Sequence, residues 1–263
     1  MSRLRWRLRA LRGAIEDARL FVTGRRDREL PPMRLRFVGA GDFRAVGDEM
    51  VKLLTTVGGL RPDDRVLDIG CGVGRVALPL TRVLTSTYDG FDVVKSAVRW
   101  CVRNITPRHP NFRFHHANLY NSFYRRRGVP ASQYRFPFDD ASYDFAFATS
   151  VFTHLAPEST HHYLDEAHRV LRRGGRLLAT FFVLGAGHVP GFEFAHRYDG
   201  YALLDPKDPE AAIAFEAEFL RRLAPESKWR VVRFERGAWT GRTDAPTFQD
   251  TAVLEKIGPD RIE

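Results

Sequence analysis

Arg65–Arg75, RVLDIGCGVGR, decides how the rest of the chain is read. Val66, Leu67 and Ile69 make the short apolar run expected of a strand buried on both faces, and Gly70, Gly72 and Gly74 follow at alternate positions. Without a Cβ, these residues let the backbone take positive φ and let a ligand lie directly against it. Val76, Ala77, Leu80, Val83 and Leu84 then carry helical spacing. The stretch therefore predicts a strand, a glycine loop and a helix, a unit that binds nucleotide-like ligands at the carboxyl edge of a parallel sheet. Arg75 stands where the dinucleotide fingerprint G-x-G-x-x-G requires glycine. Asp68, just before the loop, would repel a pyrophosphate and suits the α-ammonium of an amino-acid moiety.

In these residues the stretch resembles the first motif of the class I S-adenosylmethionine-dependent methyltransferases, which reads much like VLDIGCGVG. The resemblance covers residues 38–184 well and the terminal hairpin less firmly. It implies an α/β fold with a doubly wound, Rossmann-like sheet of seven strands, mostly parallel, the last strand antiparallel. The implied cofactor is S-adenosyl-L-methionine, with Asp68, Gly70, Cys71, Gly72 and Gly74 at its methionine end. Residues 1–37 read as a basic arm with a helix, and residues 38–263 as the methyltransferase domain. A loop-helix insertion at residues 185–225 falls near the substrate site, with PEAAIAFEAEFLRRL, residues 209–223, expected to be helical.

The strand YDGFDV ends at Asp92, where a carboxylate can accept both hydroxyls of a ribose or serve the amino end of the next helix, followed by Val93. The strand FRFHHAN ends at Asn118. Similar methyltransferases carry Asp there to hold the adenine amine, a bond that the asparagine carbonyl can also accept, and Leu119 would lie against the purine. After YDFAFATS, Thr149 and Ser150 match the small polar residues that close the family's fourth strand at the methionine end. His154 lies just beyond and can act as a general base toward a hydroxyl or amine acceptor, or cap the next turn. Before the glycine loop, Phe43 and Arg44 are placed either as a lid over the cofactor or as a connector between helices. The strands WRVVRFERG and FQDTAVLEKI flank the tract GAWTGR, whose Trp239 and Arg242 would wall the substrate pocket, unless Trp239 only caps the sheet edge.

At 263 residues, 44% of them hydrophobic, the chain suits one large α/β domain with an annex. No apolar run approaches bilayer-spanning length, and the amino end lacks an apolar signal region, so a soluble, cytoplasmic protein is expected. Two cysteines, Cys71 and Cys101, suggest neither a disulfide framework nor a zinc site, and no metal is expected. The net charge of +9 comes from arginines clustered in residues 3–36 and at Arg125–Arg127. These clusters lack interleaved aromatics, and no N/D-P-P-Y/F-like tetrad follows the fourth strand, which disfavours nucleic acid. Leu4, Leu8, Leu11, Ile15 and Leu20 give the arm an amphipathic pattern. It would lie on an anionic membrane, on a partner, or on its own domain, with Pro31 and Pro32 ending the helix. The function expected is methyl transfer to a small molecule. An RNA or protein methyltransferase, or a non-catalytic cofactor-binding module, are the alternatives.

Overall fold

The computed structural model describes residues 3–36, 41–120, 127–185, 187–190 and 192–258. Residues 37–40, ahead of Phe43, and residues 121–126, which include Arg125 and Arg126 of the second basic cluster, lie outside the described residues.

Strand β1, Val66–Ile69, is buried along its whole length. Because side chains alternate across a strand, Leu67 and Ile69 enter one core while Val66 enters the other, and a sheet covered on both faces follows. The chain supplies α1 (Arg3–Val22), α2 (Phe43–Thr56), β1, α3 (Ala77–Leu80), β2 (Tyr88–Asp92), α4 (Lys95–Asn104), β3 (Phe112–His116), β4 (Tyr143–Ala148), α5 (Pro157–Val170) and β5 (Leu171–Phe181). There follow β6 (His196–Arg197), β7 (Tyr201–Leu203), β8 (Ile213–Phe215), α6 (Ala217–Leu223), β9 (Trp229–Glu235) and β10 (Asp250–Lys256). The main sheet runs β3-β2-β1-β4-β5-β10-β9. Its first five strands are parallel, and β10 is antiparallel to both β5 and β9. Helices α2 and α4 pack on the Val66 face, with Leu53, Leu54, Ala97, Val98 and Cys101 buried there. On the Leu67 face, Tyr163, Leu164 and Ala167 of α5 are buried. From β1 the chain builds outward to β2 and β3, then returns to place β4 on the other side. The crevice at the carboxyl ends of β1 and β4 is thus the binding edge of the sheet.

The seven strands and their directions match the sequence reading, and three details differ. The helix after the glycine loop holds only one turn, Ala77–Leu80, before a run of turns. Helix α1 ends at Val22, well before Pro31 and Pro32. The stretch 209–223 is not helical throughout: Ile213–Phe215 is a strand of a small β6-β7-β8 sheet, and only Ala217–Leu223 is helix. Phe215 is fully buried and exchanges backbone bonds with the end of β5, donating to the Phe182 carbonyl and accepting from Leu184. That pairing overrides the local helical preference of an alanine-rich stretch.

A buried carboxylate fastens the left half of the sheet. Asp89 on β2 accepts from the Arg113 guanidinium, His115 Nε2 and the Tyr143 hydroxyl, which come from β3 and β4. Burial alone would raise its pKa, but these bonds outweigh it and hold the group below its ordinary value. Replacing it with alanine leaves the buried Tyr143 hydroxyl without its acceptor, while Arg113 and His115 are exposed enough to turn to water. Asp89→Ala is expected to lower unfolding free energy by about 1–3 kcal/mol, measured by urea denaturation.

Candidate functional site

All three glycines after β1 have left-handed φ, 83° at Gly70, 54° at Gly72 and 75° at Gly74. What surrounds them differs. A Cβ on Gly70 would come within 2.6 Å of Val151 Cγ2, and one on Gly74 within 2.9 Å of Ile105 Cδ1. A Cβ on Gly72 would meet nothing within 4 Å, so the open side of the loop lies there. The loop is tied to the tip of β2. The N–H groups of Gly70 and Cys71 both donate to the Phe91 carbonyl, at 2.9 and 3.0 Å. The Gly72 N–H donates to Asp92 Oδ2 at 2.9 Å, and the Val94 N–H donates to Asp92 Oδ1 at 2.7 Å. Each Asp92 oxygen keeps a further acceptor position, which suits a pair of adjacent hydroxyls. Desolvation raises its pKa, and Val93 beside it is partly buried.

Asp68 sits on the Val66 face at 2% exposure, with the Tyr88 hydroxyl donating to its Oδ2 at 2.5 Å. Burial pushes its pKa up to about 8. Cys71 contributes its backbone, since its side chain is buried and burial raises the thiol's pKa well above ordinary. Asn118 is exposed, with its carbonyl accepting from Val129, while Leu119 is largely buried in the core. Strand β3 ends at His116, two residues short of Asn118, although the Ala117 N–H still reaches the Asp92 carbonyl.

At the tip of β4, Thr149 is half-buried and Ser150 is exposed, with a left-handed φ of 56°. For a non-glycine residue this conformation costs about 1–3 kcal/mol and persists only where neighbours enforce it. The Ser150 N–H donates to Thr180 Oγ1 at 2.8 Å, and the Ser150 and Thr180 hydroxyls both donate to Gln249 Oε1, at 3.0 and 2.6 Å. His154 faces solvent on the turn after β4, and its Nδ1 donates to the Glu210 carbonyl at 2.7 Å. The bond leaves Nε2 with its lone pair.

Phe43 and Arg44 do not cover the loop. The Phe43 ring is buried between the guanidiniums of Arg36 and Arg75, each 5.3 Å from its centroid. Arg44 pairs with Asp27 and Glu29. Both side chains are spent joining α2 to its surroundings, and neither stands over Gly72. Trp239 is buried, donates from Nε1 to Asp250 at 2.8 Å, and packs edge-on against Phe182 and Phe194. It lines a cavity of about 300 Å³ beyond the ends of β5 and β10, together with Leu184, His188, Glu193, Phe194 and Arg197. Arg242 is outside that lining and pairs with Asp244 in solvent. Gln249, Thr180 and the cavity's charged residues carry no motif of their own, and only the pairing of β5 with β10 brings them to this edge. Among the described residues, no group of three His, Cys, Asp or Glu side chains could hold a metal ion.

Residues 66–175 match the model of the methyltransferase domain family. The 27-O-demethylrifamycin SV methyltransferase of Amycolatopsis mediterranei is 30% identical over 185 residues, covering 69% of this chain and 61% of that protein. The O-methyltransferase resE of Aspergillus sclerotiorum is 28% identical over 172 residues, 64% of this chain and 56% of that one. This chain thus spans little more than half the length of the curated relatives it matches. A solved S-adenosylmethionine-dependent methyltransferase of Methanosarcina mazei superposes with a TM-score of 0.53 at 22% identity, over 76% of this chain and 96% of that one. The family match over residues 66–175, with the glycine loop and strand order, identifies this part of the chain as a class I S-adenosylmethionine-dependent methyltransferase domain. The cofactor of that class is S-adenosylmethionine.

The buried acid makes stability depend on pH. With a folded pKa of about 8, Asp68 holds a proton that the unfolded chain releases near its ordinary value, 3.8. Stability should therefore fall as pH rises from about 4 to 8, by up to about 1.4 kcal/mol per unit. Asp68→Asn should flatten that slope in denaturant titrations across the range.

Proposed function

We propose that the protein transfers a methyl group from S-adenosylmethionine to a small-molecule acceptor. The observation that carries this reading is the open side of Gly72 next to the Asp92 carboxylate, whose oxygens are held by backbone N–H groups yet retain acceptor capacity. That arrangement fits a ribose lying against bare backbone. Similarity to the rifamycin and Aspergillus O-methyltransferases supports a small acceptor.

The cofactor supplies an electrophilic methyl on a sulfonium, and the chain's work is positioning and exclusion of water. Asp92 would accept the ribose hydroxyls, with Val93 at the adenine side. The Asn118 carbonyl would accept from the adenine amine beside Leu119. Gly70–Gly74 and Thr149–Ser150 would enclose the methionine end. Burial favours the protonated form of Asp68 near neutral pH, and an ammonium placed close to it would draw it toward the carboxylate. Trp239 and its cavity would hold the acceptor. His154 would take the acceptor's proton: its Nδ1–H is committed to the Glu210 carbonyl, and its Nε2 keeps its lone pair.

Calorimetry with S-adenosylhomocysteine should show binding by the wild type. Gly72→Ala puts a Cβ on the open side at a cost of about 1–2 kcal/mol for its left-handed φ and should weaken that binding at least about ten-fold, with circular dichroism confirming a folded variant; undetectable wild-type binding at millimolar ligand would refute the reading. His154→Ala should lower tritiated methyl transfer into an acceptor-containing extract by about 100-fold while leaving S-adenosylhomocysteine affinity unchanged. Equal transfer by wild type and variant would remove His154 from the proton step.

A further inference from the structure

Helix α1 is held to the protein by one side only. Asp17, 8% exposed, accepts from the N–H groups of Met33 and Arg34 and pairs with the Arg34 guanidinium. On the same side Gly13 lies so close to the Arg34 backbone that a Cβ would fall within 2.6 Å of it. The opposite side is apolar and open: Leu8 is 49% exposed, Leu11 59%, Ile15 63%, Phe21 69% and Val22 84%. At 3.6 residues per turn, Leu8, Leu11, Ile15 and Val22 fall within an arc of about 60°, and Ala18 and Phe21 widen it to about 140°. Arg12 and Arg19 are exposed along one border. The helix carries six arginines against two acids, Glu16 and Asp17, and Asp17 is already paired.

We infer that α1 is a surface for an anionic lipid bilayer, lying in the membrane plane with Leu8, Leu11, Ile15 and Val22 in the acyl boundary and its arginines among acidic headgroups. The charge pattern selects this occupant. An antiparallel second copy would set the Arg12 and Arg19 borders of the two helices against each other, a like-charge seam that disfavours the homotypic pair. The apolar arc, widened by Phe21, is also broader than a two-residue coiled-coil seam. A bilayer accepts such a face without register and offers negative charge on both flanks of it. Because the exposed arc points away from Asp17, the helix can engage a surface without breaking its contacts with the protein. No helix among the described residues is long and apolar enough to cross a membrane, so this contact is peripheral.

The test is co-sedimentation of the full chain with vesicles of phosphatidylcholine, alone or with phosphatidylserine. The wild type should bind phosphatidylserine vesicles at least about ten-fold more tightly than the neutral ones, and high salt should release it. Leu11→Glu with Ile15→Glu, and separately Arg12→Glu with Arg19→Glu, should each lose about ten-fold in vesicle affinity while S-adenosylhomocysteine binding stays at the wild-type level. If the variants prove unfolded, the lipid and salt dependence of the wild type decides alone. Absent binding, or equal binding to both vesicle types, overturns the inference in favour of an acidic protein surface. A wild-type dimer in sedimentation that Leu11→Glu splits overturns it in favour of a second copy.

Discussion

The grip of β2 on the glycine loop is the constraint from which the site follows. Three consecutive N–H groups, of Gly70, Cys71 and Gly72, are taken by the Phe91 carbonyl and the Asp92 carboxylate. A loop of left-handed glycines would otherwise be the most mobile stretch of the crevice, since glycine loses the most backbone entropy on ordering. Here it is pinned by groups at the tip of β2. Asp92 clamps the Gly72 and Val94 N–H groups together, so the loop cannot shift without moving the carboxylate. Gly70 and Gly74 are closed off by Val151 and Ile105, and the backbone is left bare at Gly72.

Around that grip the protein accepts unfavourable chemistry. Asp68 is sealed with Tyr88 and kept protonated near neutral pH, and Ser150 is held in a left-handed conformation by Thr180 and Gln249. Both lie at the carboxyl ends of β1 and β4, where the sheet order reverses. Away from this edge buried carboxylates are paired, as at Asp89, and Arg169 joins Glu166, Asp140 and two backbone carbonyls.

The parts legible in the sequence were those written locally. RVLDIGCGVGR announced the strand and its loop, Asp92 could be found from the strand YDGFDV, and the reversed final strand followed from family resemblance. Where tertiary pairing decided, the sequence misled. Ile213–Phe215 sits in an alanine-rich, helix-favouring stretch, and only the waiting edge at Phe182 and Leu184 makes it a strand. Phe43 and Arg44 read from sequence as either a lid or a connector, and cation–π packing with Arg36 and Arg75 and ion pairing with Asp27 and Glu29 favour the connector. Gln249 carries no pattern at all. Its place beside Ser150, 99 residues away, depends on antiparallel insertion of β10 next to β5.

That same insertion orders the making of the protein. The cofactor edge draws on residues 66–118, a contiguous stretch whose strands pair with their nearest neighbours and can assemble as soon as they leave the ribosome. Gln249, Asp250 and the tract holding Trp239 are synthesised more than a hundred residues later, and until β10 enters the sheet Ser150 has no partner at position 249 and the tryptophan has no carboxylate to bind. The nascent chain therefore has a stage at which the glycine loop can form while the aromatic cavity around Trp239 is still absent.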